Sequence, residues 1–113
     1  MVKIEAIIQP FKLDDVKVAL EGLGITGITI CHVFVHGGLV GQKMSYRGAK
    51  YNADALGVKF ELVVSSLVVD EVVDAISRAA RTTTPGDDGT IMVSEMADAI
   101  SVRSGQRVKF ALS

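Results

Sequence analysis

The chain has 113 residues, of which 49% are hydrophobic, and its formal net charge is −1. This length predicts one domain over residues 1–113, and the near-neutral charge gives no electrostatic basis for binding a nucleic acid. No apolar run approaches the ~20 residues of a membrane-spanning helix, and the single cysteine excludes an internal disulfide, so we expect a cytoplasmic protein. The mean hydropathy of +0.38 is high for a small chain, which predicts that apolar surface is buried between subunits.

The first part of the chain predicts a strand, a helix and a second strand. Residues 2–8 ("VKIEAII") are rich in β-branched side chains and are soon followed by Pro10, which favours a strand. Residues 11–24 ("FKLDDVKVALEGLG") carry apolar side chains at helical spacing, with Gly24 as a C-cap. Residues 25–35 ("ITGITICHVFV") are strand-like again.

After a long intervening segment the same pattern repeats. The predicted elements are a strand at 58–65, a helix at 66–81, a turn at 82–89, a strand at 90–96, a short helical turn at 97–101 and an extended C-terminal piece. Two halves of this kind predict an α+β chain with the ferredoxin-like βαββαβ arrangement, with helices on one face of the sheet. The opposite face needs cover, which a trimer of sheets or another packing would supply.

The segment 36–57 lies between the second and third predicted strands and is longer than an ordinary connection. It is rich in glycine, basic, and holds both tyrosines of the protein. These features predict a protruding contact arm or a modification site, and the alternative is a surface loop without a role. The residues that define it are Gly37, Gly38, Gly41, Lys43, Tyr46, Arg47, Gly48, Lys50 and Tyr51.

The glycine-rich turn "TTTPGDDGT" at 82–90 is a second candidate site. Backbone N–H groups around Gly86 and Gly89 would form an anion-binding nest, although the same composition also suits a plain helix-to-strand turn. Asp87 and Asp88 are better explained by turn formation than by cation binding, and no metal site is predicted. Cys31 is expected to be a small buried hydrophobic residue. No nucleophile with a base and an orienting group is visible, which argues against an enzyme.

Four stretches point to a known family. "KIEAIIQPFKLDDVKVALEGLGITGITI" is similar to the opening of the PII nitrogen-regulatory signal-transduction proteins, and "YRGAKY" at 46–51 resembles their loop signature. "ARTTTPGDDGTI" and "VRSGQR" resemble, more loosely, the second signature and the C-terminal arginine-containing segment. The resemblance implies a homotrimer of ferredoxin-like subunits with adenine-nucleotide sites between neighbouring chains. We expect a regulatory protein and not an enzyme, and the alternative is a slow ATP hydrolase, an activity that some proteins of this class have.

The resemblance also implies roles for individual residues. Tyr51 takes the place of the tyrosine that a nucleotidyltransferase modifies in some members, and its alternative role is that of a docking aromatic. The residues at target-contacting positions of the loop are Lys43, Tyr46, Arg47 and Lys50. The residues at nucleotide-contacting positions are Thr29, Gly37, Gly38, Val63, Gly86, Asp87, Asp88, Gly89, Thr90 and Arg103.

Several positions depart from the family pattern. Leu39 stands where a glutamine helps to hold magnesium and 2-oxoglutarate beside ATP, and leucine can neither ligate a hard cation nor donate a hydrogen bond. Residues that are basic in the family are replaced here by Gly38, Pro85, Thr90 and Ser101. The family's lysine that pairs with 2-oxoglutarate lies in a sequence like "LPKVK", which is one residue shorter here ("LGVK"), so no basic residue aligns with it. We therefore expect ADP or AMP to be preferred to MgATP with 2-oxoglutarate.

The expected partner is a protein target, such as a membrane transporter or a metabolic enzyme in nitrogen or bicarbonate metabolism. The chain would then associate with the membrane only through a transporter. The alternative is a scaffold or transporter-blocking module that does not respond to nucleotides.

Overall fold

A four-stranded antiparallel sheet is the frame of the computed structural model, which describes residues 1–36, 43–46, 49–52, 54–83 and 88–108. The elements are β1 (Val2–Ile8), α1 (Leu13–Glu21), β2 (Thr29–His36), β3 (Lys43–Tyr46), β4 (Ala49–Asn52), β5 (Asp54–Val64), α2 (Val69–Ala80) and β6 (Gly89–Glu95). The main sheet has the strand order β2-β5-β1-β6, and β3 pairs with β4 in a separate two-stranded sheet. The predicted α+β, ferredoxin-like βαββαβ arrangement is confirmed.

One face of the sheet carries both helices and the core. Alternate residues of β1 and β5 point to this face, because successive side chains of a strand alternate between faces. The core side chains are Ile4, Ala6, Ile8, Val58, Phe60, Leu62 and Val64 from these strands, with Val16 and Leu20 of α1 and Val72, Ile76 and Ala80 of α2. Pro10 lies in a short 3-10 helix, Pro10–Lys12, that leads into α1.

Helix α1 ends in a glycine-dependent turn. The N–H of Gly24 donates to the carbonyl of Glu21 (2.9 Å), and the N–H of Ile25 donates to the carbonyl of Leu20 (3.0 Å). These two bonds form a Schellman motif in which Gly24, with φ of 83°, takes the left-handed position. The prediction that Gly24 ends this helix agrees with this geometry.

Two boundaries around the long segment were predicted wrongly. β2 begins at Thr29, not at residue 25, because residues 25–28 lie between the turn after α1 and the first residue that pairs with β5. β5 begins at Asp54, so part of the segment expected to be an irregular loop (36–57) is strand. β3 and β4 also lie inside that segment and pair with each other from Lys43 opposite Asn52 to Tyr46 opposite Ala49.

The predicted helical turn at 97–101 is also wrong. Ile100 forms an isolated antiparallel bridge with Arg107, and the N–H of Ser101 donates to the carbonyl of Gln106 (2.8 Å). The chain reverses between these residues through Gly105, whose φ of 70° suits glycine. This antiparallel pairing within the chain satisfies backbone N–H and C=O groups that a helical turn would have paired with residues three or four positions away.

The second face of the sheet carries no helix from the described part of the chain and holds a network of charges. Glu5 lies between Lys3 (2.6 Å) and Lys59 (3.6 Å), and Lys59 also contacts Glu61 (3.4 Å). Cys31 is opposite Lys59 on the same face and is exposed, so the expectation of a buried cysteine is wrong for the single chain. The reason is that β2 is an edge strand and Cys31 points away from the helices.

Candidate nucleotide-binding site

The first candidate half-site is at the edge strand where β2 begins. A cavity of about 300 Å³ opens there, at the lower end of the size range of small-molecule sites. Its lining residues are Lys3, Gly27, Ile28, Thr29, Glu61, Leu62 and Val63. β2 pairs with β5 on one side only in the described sheet, so alternate N–H and C=O groups on its outer side are free for a ligand. A Cβ at Gly27 would meet no atom within 4 Å, so this glycine leaves open space in the cavity wall.

The second candidate half-site is where α2 ends and β6 begins. A cavity of about 270 Å³ is lined by Ile8, Ser77, Ala80, Arg81, Asp88, Gly89, Thr90 and Ile91. It includes the described part of the glycine-rich turn, and Gly89 has a φ of 120°, a conformation that side chains other than glycine rarely adopt. The structure therefore places three of the residues predicted to bind nucleotide in one cavity wall.

Asp88 also has a structural task in this turn. Its carboxylate accepts a hydrogen bond from the backbone N–H of Thr82. That bond is the main cause of a lowered Asp88 pKa, followed by the Thr82 hydroxyl and, by charge alone, Arg81 and Lys12. The carboxylate is thus held ionised and turned toward the chain that enters the turn.

Within one chain, the two half-sites are far apart. Val63 pairs with Lys3 near one end of β1, whereas Gly89 pairs with Ile8 at the other end. Lys3 and Ile8 are five residue steps apart along β1, which is about 17 Å at strand spacing. Thr29 and Gly89 are also on opposite edge strands. A ligand that contacts both half-sites therefore needs a second copy of the chain.

Arg103 lines neither cavity within the chain. It lies in the exposed turn between Ile100 and Arg107. Arg107 donates to the carboxylate of Asp98 (2.9 Å), which fixes the start and end of this reversal. Arg103 would therefore reach a nucleotide only where this turn approaches a neighbouring subunit.

Other predicted residues fall partly or wholly outside the described structure. Lys43 and Tyr46 lie on β3, and Lys50 and Tyr51 lie on β4, where Tyr51 is opposite Met44. The residues singled out in the sequence that lie outside the described ranges are Gly37, Gly38, Leu39, Gly41, Arg47, Gly48, Pro85, Gly86 and Asp87. Within the described residues no group of three or more His, Cys, Asp or Glu side chains is placed to hold a metal ion.

Two features of the sites were not predicted from the sequence. His36 contacts Asp54 through its Nδ1 (2.6 Å), and this pair joins the ends of β2 and β5 where the long segment leaves the sheet. Arg81 lines the second cavity, although its place at the end of a predicted helix gave no sign of this. The register of β2 and β5 brings His36 to Asp54, and the position where α2 ends places Arg81 beside the cavity. Neither the register nor the helix end could be predicted from residue spacing alone.

A small α+β chain whose candidate ligand residues are divided between opposite corners is the type of subunit that completes its sites by assembly. The family model "Nitrogen regulatory protein P-II" matches residues 1–106. The proteins named nitrogen regulatory protein P-II from Bradyrhizobium diazoefficiens and Klebsiella oxytoca are 48% and 49% identical to this chain over 107 residues. Nitrogen regulatory protein P-II 1 of Escherichia coli K12 is also 49% identical, covering 94% of this chain and 95% of its own length, as in the other two comparisons.

The chain belongs to the nitrogen regulatory protein P-II family. Proteins of this family are regulatory, non-enzymatic signal transducers. They form homotrimers, act on protein targets and respond to adenine nucleotides and 2-oxoglutarate. No helix among the described residues is long and apolar enough to cross a membrane.

Proposed function

We propose that this protein is a trimeric sensor that binds ADP or AMP at clefts between subunits and controls a protein target through the segment 36–57. The observation that carries the proposal is the division of the predicted nucleotide residues. Thr29 and Val63 line one cavity, and Asp88, Gly89 and Thr90 line another at the opposite corner. A trimer would bring the two types of cavity together across each interface.

The nucleotide preference follows from the sequence of the phosphate-binding positions. Leu39 offers no ligand for magnesium, and Thr90 replaces a basic residue. A charge-assisted hydrogen bond contributes roughly 1.5–3 kcal/mol, so losing several of them weakens a triphosphate more than a mono- or diphosphate. The target is proposed to be a transporter or metabolic enzyme of nitrogen or bicarbonate metabolism, reached in the cytoplasm or at a membrane through that transporter. Tyr51 is either a site for a nucleotidyltransferase or a docking aromatic.

Calorimetric titration of the purified trimer with ATP, ADP and AMP, each with and without magnesium and 2-oxoglutarate, tests the proposal. We expect ADP or AMP to bind and 2-oxoglutarate to leave their affinities unchanged. A ligand at a hundred times its Kd should stabilise the native state by about 2.7 kcal/mol, which a thermal shift would show independently. Tight, mutually cooperative binding of MgATP and 2-oxoglutarate would contradict the proposed preference for ADP or AMP. If no nucleotide binds, the result would instead support a scaffold or transporter-blocking module.

A variant at Gly27 tests whether the nucleotide binds in the first cavity. Gly27→Val adds a branched side chain at a residue that lines the first cavity, where a Cβ would meet no atom within 4 Å, and we expect it to weaken nucleotide binding at least about tenfold. Gly27→Ala is the matched control, since one methyl group takes up little of the cavity. Unchanged affinity in Gly27→Val would show that the nucleotide does not use this half-site.

A further inference from the structure

The last turn of α2 places a cation beside the glycine-rich turn. Arg81 follows the final helical residue, Ala80, and lines the second cavity together with Gly89 and Thr90. Its Nη2 donates to the hydroxyl of Ser77 (3.3 Å), one helical turn earlier, and Ser77 lines the same cavity. This bond holds the guanidinium along the helix end, and within the described part of the chain its other N–H donors are not engaged in a hydrogen bond.

Among the described residues, Arg81 forms no ion pair. Within the described residues no carboxylate oxygen lies within 4.0 Å of its guanidinium, whereas the neighbouring Arg78 is paired with Asp74 (3.1 Å). Asp88 is the one carboxylate in the described lining of the cavity, and it accepts the backbone N–H of Thr82. Lys12 adds a second positive charge near Asp88, since both Lys12 and Arg81 act on that carboxylate.

A guanidinium is well suited to a phosphate in this position. Its planar set of donors binds two phosphate oxygens at once, and it stays charged at every physiological pH. The positions that are basic in the family are Pro85 and Thr90 here, so the glycine-rich turn has no cation of its own at those positions. Arg81 lies on the same cavity wall and provides one.

We propose that Arg81 binds the terminal phosphate of the nucleotide and so determines the preference for phosphorylated ligands. This inference rests on the proposed nucleotide-binding function. It adds a residue that comes from the helix end and not from the glycine-rich turn or the long segment. The ligand chemistry is a phosphoryl group, carried either by a nucleotide or by a free anion.

The test compares Arg81→Gln with Arg78→Gln in the full-length protein. Both variants remove one exposed arginine from the same helix end, but Arg78 lies outside the second cavity and is paired with Asp74. Each variant and the wild type are titrated with ADP, adenosine and pyrophosphate. We expect Arg81→Gln to weaken ADP binding about tenfold or more and to leave adenosine unchanged, while Arg78→Gln changes neither. Arg81→Lys keeps the charge without the two-pronged geometry and should restore part of the affinity.

The outcomes separate this inference from the function on which it rests. If ADP binds wild type and Arg81→Gln equally, the role of Arg81 is wrong and the nucleotide site stands. If neither ADP nor AMP binds the wild type, the proposed function fails, and the titration with pyrophosphate then tests the role of Arg81 by itself. Pyrophosphate binding that Arg81→Gln abolishes supports a free-anion site, whereas no pyrophosphate binding overturns the inference as well.

Discussion

The Asp88 carboxylate holds the turn between α2 and β6 in place by accepting the Thr82 N–H. A carboxylate with this contact has a lowered pKa in the folded protein, so it favours folding only while it is ionised. Its contribution is fully present above the ordinary aspartate pKa of about 4 and is lost as the pH falls through the lower pKa of the folded state. The same residue thus shapes the second cavity and makes the turn sensitive to acid.

We predict that Asp88→Asn lowers the melting temperature by a few degrees at pH 7 and that this difference shrinks as the pH falls below about 4. The amide oxygen still accepts the Thr82 N–H but without charge assistance. Thermal unfolding of wild type and variant from pH 7 to pH 3 measures both effects. Thr82→Ala should cost less at pH 7, because it keeps the backbone N–H that is the main partner. A gap between wild type and Asp88→Asn that stays constant with pH would contradict this account.

At the scale of single elements, the turn after α1 depends on one glycine. Gly24 has a φ of 83°, and a Cβ there would meet no atom within 4 Å, so the cost of a side chain is conformational and not steric crowding by neighbours. We predict that Gly24→Ala lowers the free energy of unfolding by about 1 kcal/mol. Urea unfolding at fixed protein concentration measures this loss, because oligomer stability depends on concentration.

Gly27→Ala is the matched control for the turn. Gly27 also has open space around its Cβ position but has no left-handed φ. Alanine there should be neutral or stabilise by up to about 1 kcal/mol, because it restricts the unfolded chain. Equal losses in both variants would show that the left-handed conformation of Gly24 is not what the turn requires.

Elements determined by the local pattern of apolar residues could be predicted from the sequence. Strands that exist only because they pair with another strand could not. β1 is a run of alternating residues, and its predicted range, 2–8, matches the structure. β3 and β4 have four residues each and gain their identity only from pairing with each other, so composition suggested a loop. The start of β5 at Asp54 has the same cause, because its first residues pair with the end of β2.

The candidate site was predictable only as far as a family signature names its positions. Thr29 and Val63 line one cavity, and Gly89 and Thr90 line another, but whether these cavities bind a nucleotide stays a prediction. Arg81 was missed because the helix end that turns it toward the glycine-rich turn is a tertiary feature. The exposure of Cys31 was missed for a similar reason, since the strand order that makes β2 an edge strand of the described sheet is a tertiary feature.

At the scale of the whole molecule, the helix-free sheet face has two regions. Near the long segment it is apolar, with Ala55 packed against Ile7 and Val35. Toward the other end it carries the alternating charges of Lys3, Glu5, Lys59 and Glu61. An apolar patch beside self-compensating charges suits an interface between identical subunits, and the family forms homotrimers. We propose that this face is the trimer interface of the chain.

Reversing one charge in the network tests this assignment. Glu5 is central because its carboxylate contacts Lys3 (2.6 Å) and Lys59 (3.6 Å), so Glu5→Lys places three ammonium groups together on the proposed interface. Burying like charges without partners is costly, and we predict that Glu5→Lys shifts the trimer toward folded monomer at micromolar concentration. Light scattering after size exclusion measures the mass, and circular dichroism checks that the monomer keeps its secondary structure.

The control reverses a charge on the helical side of the sheet. Asp74 is on α2, pairs only with Arg78 among the described residues and is far from the helix-free face, so Asp74→Lys should remain trimeric. Loss of assembly in both variants would point to general destabilisation. If the Glu5→Lys protein stays trimeric at every concentration, the trimer interface lies elsewhere on the chain. The way in which the two half-sites are paired across the interface would then differ as well. Because each nucleotide site is proposed to need two chains, a monomeric Glu5→Lys protein should also lose ADP binding.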